Sequence, residues 1–102
     1  MATAFDVLAE PNRRRILDAL REGERPVGEL VRELRLSQPA VSKHLRALRD
    51  AGFVDVRPDA QRRYYRVRAA PLRELDTWIA PYRRFWDTRL DTLEAHLDTM
   101  ED

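Results

Sequence analysis

Apolar residues recur every three or four positions through the first third of the chain, which predicts a series of short amphipathic helices. The first predicted helix spans Thr3 to Glu10. Pro11 opens a second, which runs from Asn12 to Arg21. Residues 22–26 read as a turn, and a third helix follows at Val27 to Leu34.

The fourth predicted helix, over residues 37–51, has the clearest start and stop signals. Ser37 can accept hydrogen bonds from the first unpaired N–H groups, Pro39 is tolerated in the first turn, and Gly52 suits the left-handed end of a helix. Its narrow apolar stripe consists of Val41, Leu45 and Leu48. Its remaining surface carries an amide, a hydroxyl and cations, namely Gln38, Ser42, Lys43, Arg46 and Arg49.

Beyond Gly52 the hydrophobic period changes from 3.6 to 2, which indicates β-strands. Residues 53–57 and 62–68 are predicted to pair around a turn at 58–61, forming a hairpin over 53–68. Arg62 and Arg63 lie at its tip. Its apolar face holds Val54, Val56, Tyr65 and Val67.

Residues 71–100 return to helical periodicity, and Pro81 is expected to kink or divide this segment into separate helices. The helical stripe is rich in aromatic residues and leucines: Trp78, Tyr82, Phe85, Trp86, Leu90, Leu93 and Leu97. These side chains either cap the core of the monomer or form a subunit interface. We favour the interface, because large aromatic clusters are costly to leave in water.

The order of these elements predicts a single domain over residues 1–102, mainly α with a β-hairpin wing. This α+β arrangement is a winged helix-turn-helix, in which the fourth helix would enter the major groove of duplex DNA. Two alternatives remain open: a winged helix that serves only as a protein-interaction module, and one that binds RNA.

Charge is distributed unevenly along the chain, although the net charge is only +1. Residues 35–68 hold nine basic and three acidic side chains, a local charge of +6. Residues 71–102 hold four basic and eight acidic side chains, a local charge of −4. Basic charge concentrated around the fourth helix and the hairpin is typical of a nucleic-acid surface.

Side-chain chemistry assigns provisional roles in base reading. Gln38 can pair with two atoms of adenine, Lys43 can donate to guanine, and Ser42 can bond to either base. The carbon atoms of Pro39 and Ala40 can touch a thymine methyl group.

Other polar residues of the fourth helix and the hairpin are expected to act away from the bases. Arg46 and Arg49 lie further along the helix and are interpreted as phosphate contacts, with Arg62 and Arg63 contacting DNA from the wing. His44 lies one turn from Val41, beside the apolar stripe, so we interpret it as a packed histidine rather than a base contact.

Several function classes are excluded or find no support. The chain has no Cys, so disulfides, thiolate metal sites and cysteine nucleophiles are excluded. It has no glycine-rich phosphate loop and no pair of histidines for a catalytic site, so we expect no enzyme activity and no cofactor. No apolar run is long enough to span a membrane, and no signal-peptide pattern opens the chain. A cytoplasmic protein is therefore expected.

Four motifs resemble the arsenic-repressor-like (ArsR/SmtB) family of bacterial transcription regulators: Leu8–Leu17, Leu36–Leu45, Leu48–Val54 and Arg62–Tyr65. The segment Trp78–Trp86 is similar to a metal-independent branch of that family. The resemblance implies a homodimer that binds a pseudo-palindromic operator in double-stranded DNA, usually as a repressor and often of its own operon.

The same resemblance implies dimerisation through the first and last helices, here Phe5, Val7 and Leu8 together with the aromatic stripe. Metal-sensing members use paired cysteines, or Asp and His on the last helix. This chain offers only His96 there, among acidic residues that read as a solvated helix face or a weak hard-cation site. We therefore expect no transition-metal site, and the effector, if there is one, is a small molecule of unknown identity.

Overall fold

The computed structural model describes the backbone of residues 3–101 and the side chains of residues 3–87. Five helices and three strands lie along this part of the chain. They are α1 (Ala4–Ala9), α2 (Pro11–Leu20), β1 (Arg25–Pro26), α3 (Val27–Leu34), α4 (Gln38–Asp50), β2 (Val54–Asp59), β3 (Arg62–Val67) and α5 (Ala70–Glu101). Met1–Leu72 and Arg73–Asp102 are separate structural units. Within the described residues, no helix combines the length and the apolar character needed to cross a membrane.

Local capping explains where the first two helices begin. The Thr3 hydroxyl accepts a hydrogen bond from the Asp6 N–H at 3.2 Å, and the Asp6 carboxylate accepts one from the Thr3 N–H at 3.0 Å. This reciprocal capping box lowers the pKa of Asp6. At α2, the Glu10 carboxylate accepts from the Asn12 N–H at 3.3 Å, and Pro11 occupies the first helical position. Both predicted helices are confirmed to within a residue.

The connection between α3 and α4 is as short as the sequence indicates. Arg35 ends α3 in the left-handed conformation, with φ +56°. Arg15 of α2 donates a hydrogen bond to the Leu34 carbonyl at 2.9 Å, which satisfies one of the unpaired carbonyls at the end of α3. This contact links the turn between α3 and α4 to α2.

One hydrophobic core joins the helices of the first unit to the sheet. Its fully buried side chains come from α1, α2, α3, α4 and β2, together with the residue just before β2. They are Val7, Ile16, Leu30, Val41, Leu45, Leu48, Phe53 and Val54. The stripe predicted for the fourth helix is thus confirmed as its buried face.

The sheet has three antiparallel strands in the order β1-β3-β2. The two-residue strand β1 is absent from the sequence prediction, which reads 22–26 as a turn, because two residues cannot show a period of two. Arg25 pairs with Tyr65 across the sheet and also donates to the Ala19 carbonyl at 3.0 Å. Its guanidinium lies 3.2 Å from the Glu33 carboxylate. These contacts hold the short strand in place.

The hairpin turn is tighter than the sequence pattern suggests. β2 continues through Pro58 to Asp59, which pairs with Arg62, so only Ala60 and Gln61 form the turn. Pro58 is tolerated because β2 is an edge strand, where a missing N–H leaves no ladder bond unmade. Ala60 adopts φ +55°, a conformation more usual for glycine.

α5 is one helix from Ala70 to Glu101, with Pro81 inside it. Of the two outcomes expected at Pro81, a kink or a division of the segment, the division is wrong. Proline has no backbone N–H, so one i→i−4 hydrogen bond is missing at this point of the continuous helix. An ion pair between Asp76 and Arg83 bridges the turns around Pro81.

Candidate nucleic-acid interface

Residues next to α4 in sequence cap both ends of this helix. The Ser37 hydroxyl accepts from the Ala40 N–H at 3.2 Å, as the sequence predicts. At the other end, the Phe53 N–H donates to the Leu48 carbonyl at 2.9 Å and the Gly52 N–H to the Arg49 carbonyl at 3.0 Å. With φ +82° at Gly52 and a buried Phe53, this is a Schellman motif.

The capped helix presents its polar residues to solvent. Val41 and Leu48 are 0 % exposed and Leu45 is 1 % exposed, so one face of α4 is fixed against the core. Ala40 is half-buried. The other residues predicted to contact DNA from this helix are all exposed: Gln38, Pro39, Ser42, Lys43, Arg46 and Arg49. A rigid helix with an exposed amide, hydroxyl and cations can make base and phosphate contacts together.

The register of the wing confirms both predicted faces of the hairpin. Val56 lies opposite Tyr65, and Val54 opposite Val67, on the apolar side. Asp55 lies opposite Arg66 on the other side, and their ion pair measures 3.1 Å. Hydrogen bonds from the Arg66 guanidinium and the Val56 N–H lower the pKa of Asp55.

Several arginines elsewhere in the first unit are engaged within the protein. Arg57 bonds the Glu24 carboxylate at 2.9 Å and lies over the Tyr64 ring, 4.9 Å from its centroid. Arg25 and Arg66 are likewise in ion pairs. These cations are already neutralised, so they are poorer candidates for phosphate binding than cations without a partner.

The candidate DNA-contacting cations have no such partner. Among the side chains that the structure describes, none of the five forms an ion pair or a hydrogen bond: Lys43, Arg46, Arg49, Arg62 and Arg63. All five are exposed. Unneutralised cations gathered on one helix and one hairpin tip form a surface suited to a polyanion.

Two clefts border the wing, and Arg63 lines both of them. One, of about 340 Å³, lies between α4 and β3 and is lined by Ser42, Arg46, Arg49, Arg63 and other residues. The second, of about 410 Å³, lies between the wing and α3. Arg32 lines this cleft together with Arg62 and Arg63. Arg32 is absent from the sequence prediction, because only the fold brings α3 close to the hairpin tip.

His44 lies where the sequence interpretation places it, at the edge of the buried stripe. It is half-buried, and its Nδ1 accepts a hydrogen bond from the Arg13 Nε–H at 3.3 Å. Burial lowers the pKa of His44, and the nearby positive charge of Arg13 lowers it further. The neutral imidazole is therefore favoured.

The residues assigned to dimerisation fall into three groups. Phe5 is exposed in the first unit, as are four aromatic residues in the second: Trp78, Tyr82, Phe85 and Trp86. Leu8 is half-buried, whereas Val7 is 1 % exposed and belongs to the core, so its assignment to an interface is corrected. Leu90, Leu93 and Leu97 lie outside the described side chains.

The aromatic residues of α5 contact one another along the helix. The rings of Trp78 and Tyr82 have centroids 5.2 Å apart, and those of Tyr82 and Phe85 are 6.4 Å apart. Phe85 remains 63 % exposed. An exposed aromatic surface of this kind is typical of a protein–protein contact.

His96 and the acidic residues around it, read from the sequence as a solvated helix face or a weak hard-cation site, lie outside the described side chains. Within residues 3–87, no three His, Asp or Glu side chains are placed to hold a metal ion.

The capped helix α4, the recognition helix, is followed by the β2–β3 hairpin, and together they define a winged helix-turn-helix protein. The profile of the family described as "Bacterial regulatory protein, arsR family" matches residues 10–56. The "HTH-type transcriptional regulator Rv2034" of Mycobacterium tuberculosis is 38 % identical, over 97 % of this chain and 90 % of that protein. The "Transcriptional repressor SdpR" of Bacillus subtilis is 29 % identical, over 78 % of this chain and 88 % of that protein.

A solved structure agrees with these sequence matches. The "ArsR-like Transcriptional Regulator from Rhodococcus sp. RHA1" superposes with a TM-score of 0.70 at 27 % identity, covering 89 % of this chain and 86 % of that one. The chain belongs to the arsR family of bacterial regulatory proteins. It is a DNA-binding transcription regulator and not an enzyme.

Proposed function

We propose that this protein is a homodimeric repressor that binds an inverted-repeat operator in double-stranded DNA. The observation that carries the proposal is the set of five exposed, unpaired cations on α4 and the wing tip. A polyanion on this surface would neutralise them without breaking any ion pair inside the protein. The name of the Bacillus subtilis relative, a transcriptional repressor, supports repression as the outcome.

Within this surface, α4 reads the base edges. Gln38 pairs with adenine, Lys43 donates to guanine and Ser42 bonds to either, because these side chains lie in the first two turns and are exposed. Pro39 and the half-buried Ala40 offer carbon atoms to a thymine methyl group.

The remaining cations hold the phosphate backbone. Arg46, Arg49 and Arg63 line one cleft between helix and wing, a geometry that suits a single backbone segment held from both sides. Arg32 and Arg62, at the second cleft, extend the same surface toward α3.

Dimerisation supplies the second half-site. One winged helix covers only a few base pairs, whereas a two-fold dimer covers two half-sites about one helical turn apart. The exposed aromatic residues of α5 supply the apolar surface that such an interface requires. Phe5 and the part of Leu8 that is exposed contribute from α1.

Release from DNA does not depend on a transition metal in this proposal. The chain has no cysteine, and its two histidines, His44 and His96, are far apart in sequence. A small-molecule effector of unknown identity fits better than a metal. Since its target is chromosomal DNA, we place the protein in the cytoplasm.

Footprinting of the DNA upstream of its own coding sequence tests the proposal. We expect protection of an imperfect inverted repeat by the wild-type protein, and loss of that protection in Lys43→Ala. Arg73→Ala, which removes an exposed cation from the second unit, is the control and should protect the same segment. No sequence-dependent protection, together with tight binding to another protein, would instead support the protein-interaction module.

A further inference from the structure

A single guanidinium joins three helices of the first unit. Arg13 belongs to α2, its Nη1 donates to the Val7 carbonyl of α1 at 3.4 Å, and its Nε donates to His44 Nδ1 of α4 at 3.3 Å. Both contacts are partly buried. Arg13 therefore links the recognition helix to α1, the helix proposed to contribute to the dimer interface.

This contact fixes the chemical state of His44. A ring nitrogen that accepts a hydrogen bond carries no proton, so the neutral imidazole must hold its proton on Nε2. Protonation of Nδ1 would turn the acceptor into a donor that faces another donor. The contact therefore exists only while His44 is neutral.

The charges around His44 oppose its protonation on balance. Arg13 faces it from α2, Lys43 is its neighbour on α4, and Glu10 at the start of α2 is the one acidic group among them. A second positive charge at His44 would be repelled by Arg13 and Lys43 and attracted by Glu10. Breaking the contact would leave the Arg13 Nε–H without its acceptor.

His44 is also well placed to influence base reading. It precedes the buried Leu45 and follows Lys43, which is proposed to contact guanine. A rotation of α4 about its buried stripe would move Lys43 and Ser42 relative to the base edges, where errors of about an ångström matter.

We propose that the Arg13–His44 contact positions the recognition helix for its operator. Protonation of His44 breaks this contact and weakens operator binding. The proposal rests on the operator-binding function proposed above. Arg13 and His44 are positioning residues here, because neither has to touch the DNA. Non-specific binding, which follows charge, should not weaken with protonation and should strengthen slightly, since the protein gains a cation.

The ratio of operator affinity to non-specific affinity separates these two effects. The probes are a labelled duplex of the footprinted segment and the same duplex with that segment scrambled, at constant ionic strength. From about pH 8 to about pH 5, either side of the ordinary histidine pKa near 6.5, the wild-type ratio should fall about tenfold for each subunit, the value of one hydrogen bond to a charged group, and therefore about 100-fold for the dimer.

Two matched variants assign the effect to His44. His44→Asn places an acceptor oxygen near the position of Nδ1 and cannot be protonated, so its ratio should stay constant over this pH range. His96→Gln removes the other histidine and should keep the wild-type pH dependence. A constant wild-type ratio, or a pH-dependent ratio in His44→Asn, would overturn the inference and leave the proposed function standing.

A spectroscopic measurement avoids any dependence on variants. The nitrogen-15 shifts of the His44 ring in the wild-type protein should show a protonated Nε2 and an unprotonated Nδ1 at about pH 8. The opposite tautomer would refute the proposed contact. Equal affinity for both duplexes at every pH would instead refute the proposed function, and this inference with it.

Discussion

Replacing Arg63 by alanine should remove a phosphate contact while leaving the fold intact. The side chain is exposed at the wing tip, lines the cleft shared with Arg46 and Arg49, and has no ion-pair partner among the described residues. Arg66 on the same strand offers a matched control. It carries the same charge, but its guanidinium is bonded to the Asp55 carboxylate at 3.1 Å.

The expected magnitude follows from counterion release. Each phosphate contact contributes about 0.9 to the slope of log K against log salt, so two copies of Arg63 in a dimer contribute about 1.8. If the contact acts only through this effect, wild type and variant converge near 1 M salt and differ by about 60-fold near 0.1 M. Arg66→Ala should change the slope by much less.

Fluorescence anisotropy with the operator duplex over a salt series measures both slopes. Circular dichroism of each variant should show that the helices are retained. Equal changes of slope in Arg63→Ala and Arg66→Ala would refute the distinction between free and paired arginines. An unchanged slope in Arg63→Ala would show that the wing tip does not contact phosphate.

Four further outcomes are expected. Gln38→Ala should reduce the preference for the native base at one operator base pair by about 1–3 kcal/mol, measured by comparing operators with single substitutions. It should leave the salt slope unchanged. Trp86→Ala should shift sedimentation toward monomer and weaken operator binding; a retained dimer would move the interface elsewhere. Leu45→Ala should reduce the free energy of unfolding by about 2–5 kcal/mol in urea, whereas a loss well below that range would contradict the packing of α4. The pKa of His44 in the folded protein lies below its unfolded value of about 6.5, so the folded state binds fewer protons than the unfolded state. The free energy of unfolding should therefore fall on acidification from about pH 7 to pH 5. His44→Asn should lose this part of the decline, and a similar decline in both proteins would assign it to other groups.

Elements whose signals are local in sequence were predictable. α3 has the predicted bounds, Val27–Leu34, because its apolar residues recur with a clear helical period after Pro26. α4 was predictable from Ser37 and Gly52, whose capping roles depend only on their immediate neighbours. The hairpin faces followed from strict alternation.

Features that depend on contacts between distant residues were not predictable. β1 exists because Arg25 and Pro26 lie beside β3, nearly forty positions away. No pattern within residues 22–26 indicates a strand. α5 continues through Pro81, although an interior proline usually kinks or ends a helix. The turn at Ala60 combines an edge strand with a left-handed alanine, a pairing that turn propensities do not favour.

The candidate site shows the same division. Residue types and spacing indicated which side chains of α4 face outward, because the buried stripe determines the opposite face. They could not indicate which arginines are already neutralised, since the partners of Arg57 and Arg66 come from other elements. They also could not connect His44 with Arg13, thirty-one positions away.

The capping of α4 has a consequence for how such a regulator can acquire a new operator. Most residues that build this helix differ from those proposed to read DNA. Ser37, the buried stripe and Gly52 form the helix, while Gln38, Ser42 and Lys43 are exposed and their side chains make no described hydrogen bond or ion pair. After gene duplication, one copy could therefore exchange its reading residues and acquire a new operator without an intermediate that fails to fold. The same separation would let an engineer screen these exposed positions as a library on a constant scaffold.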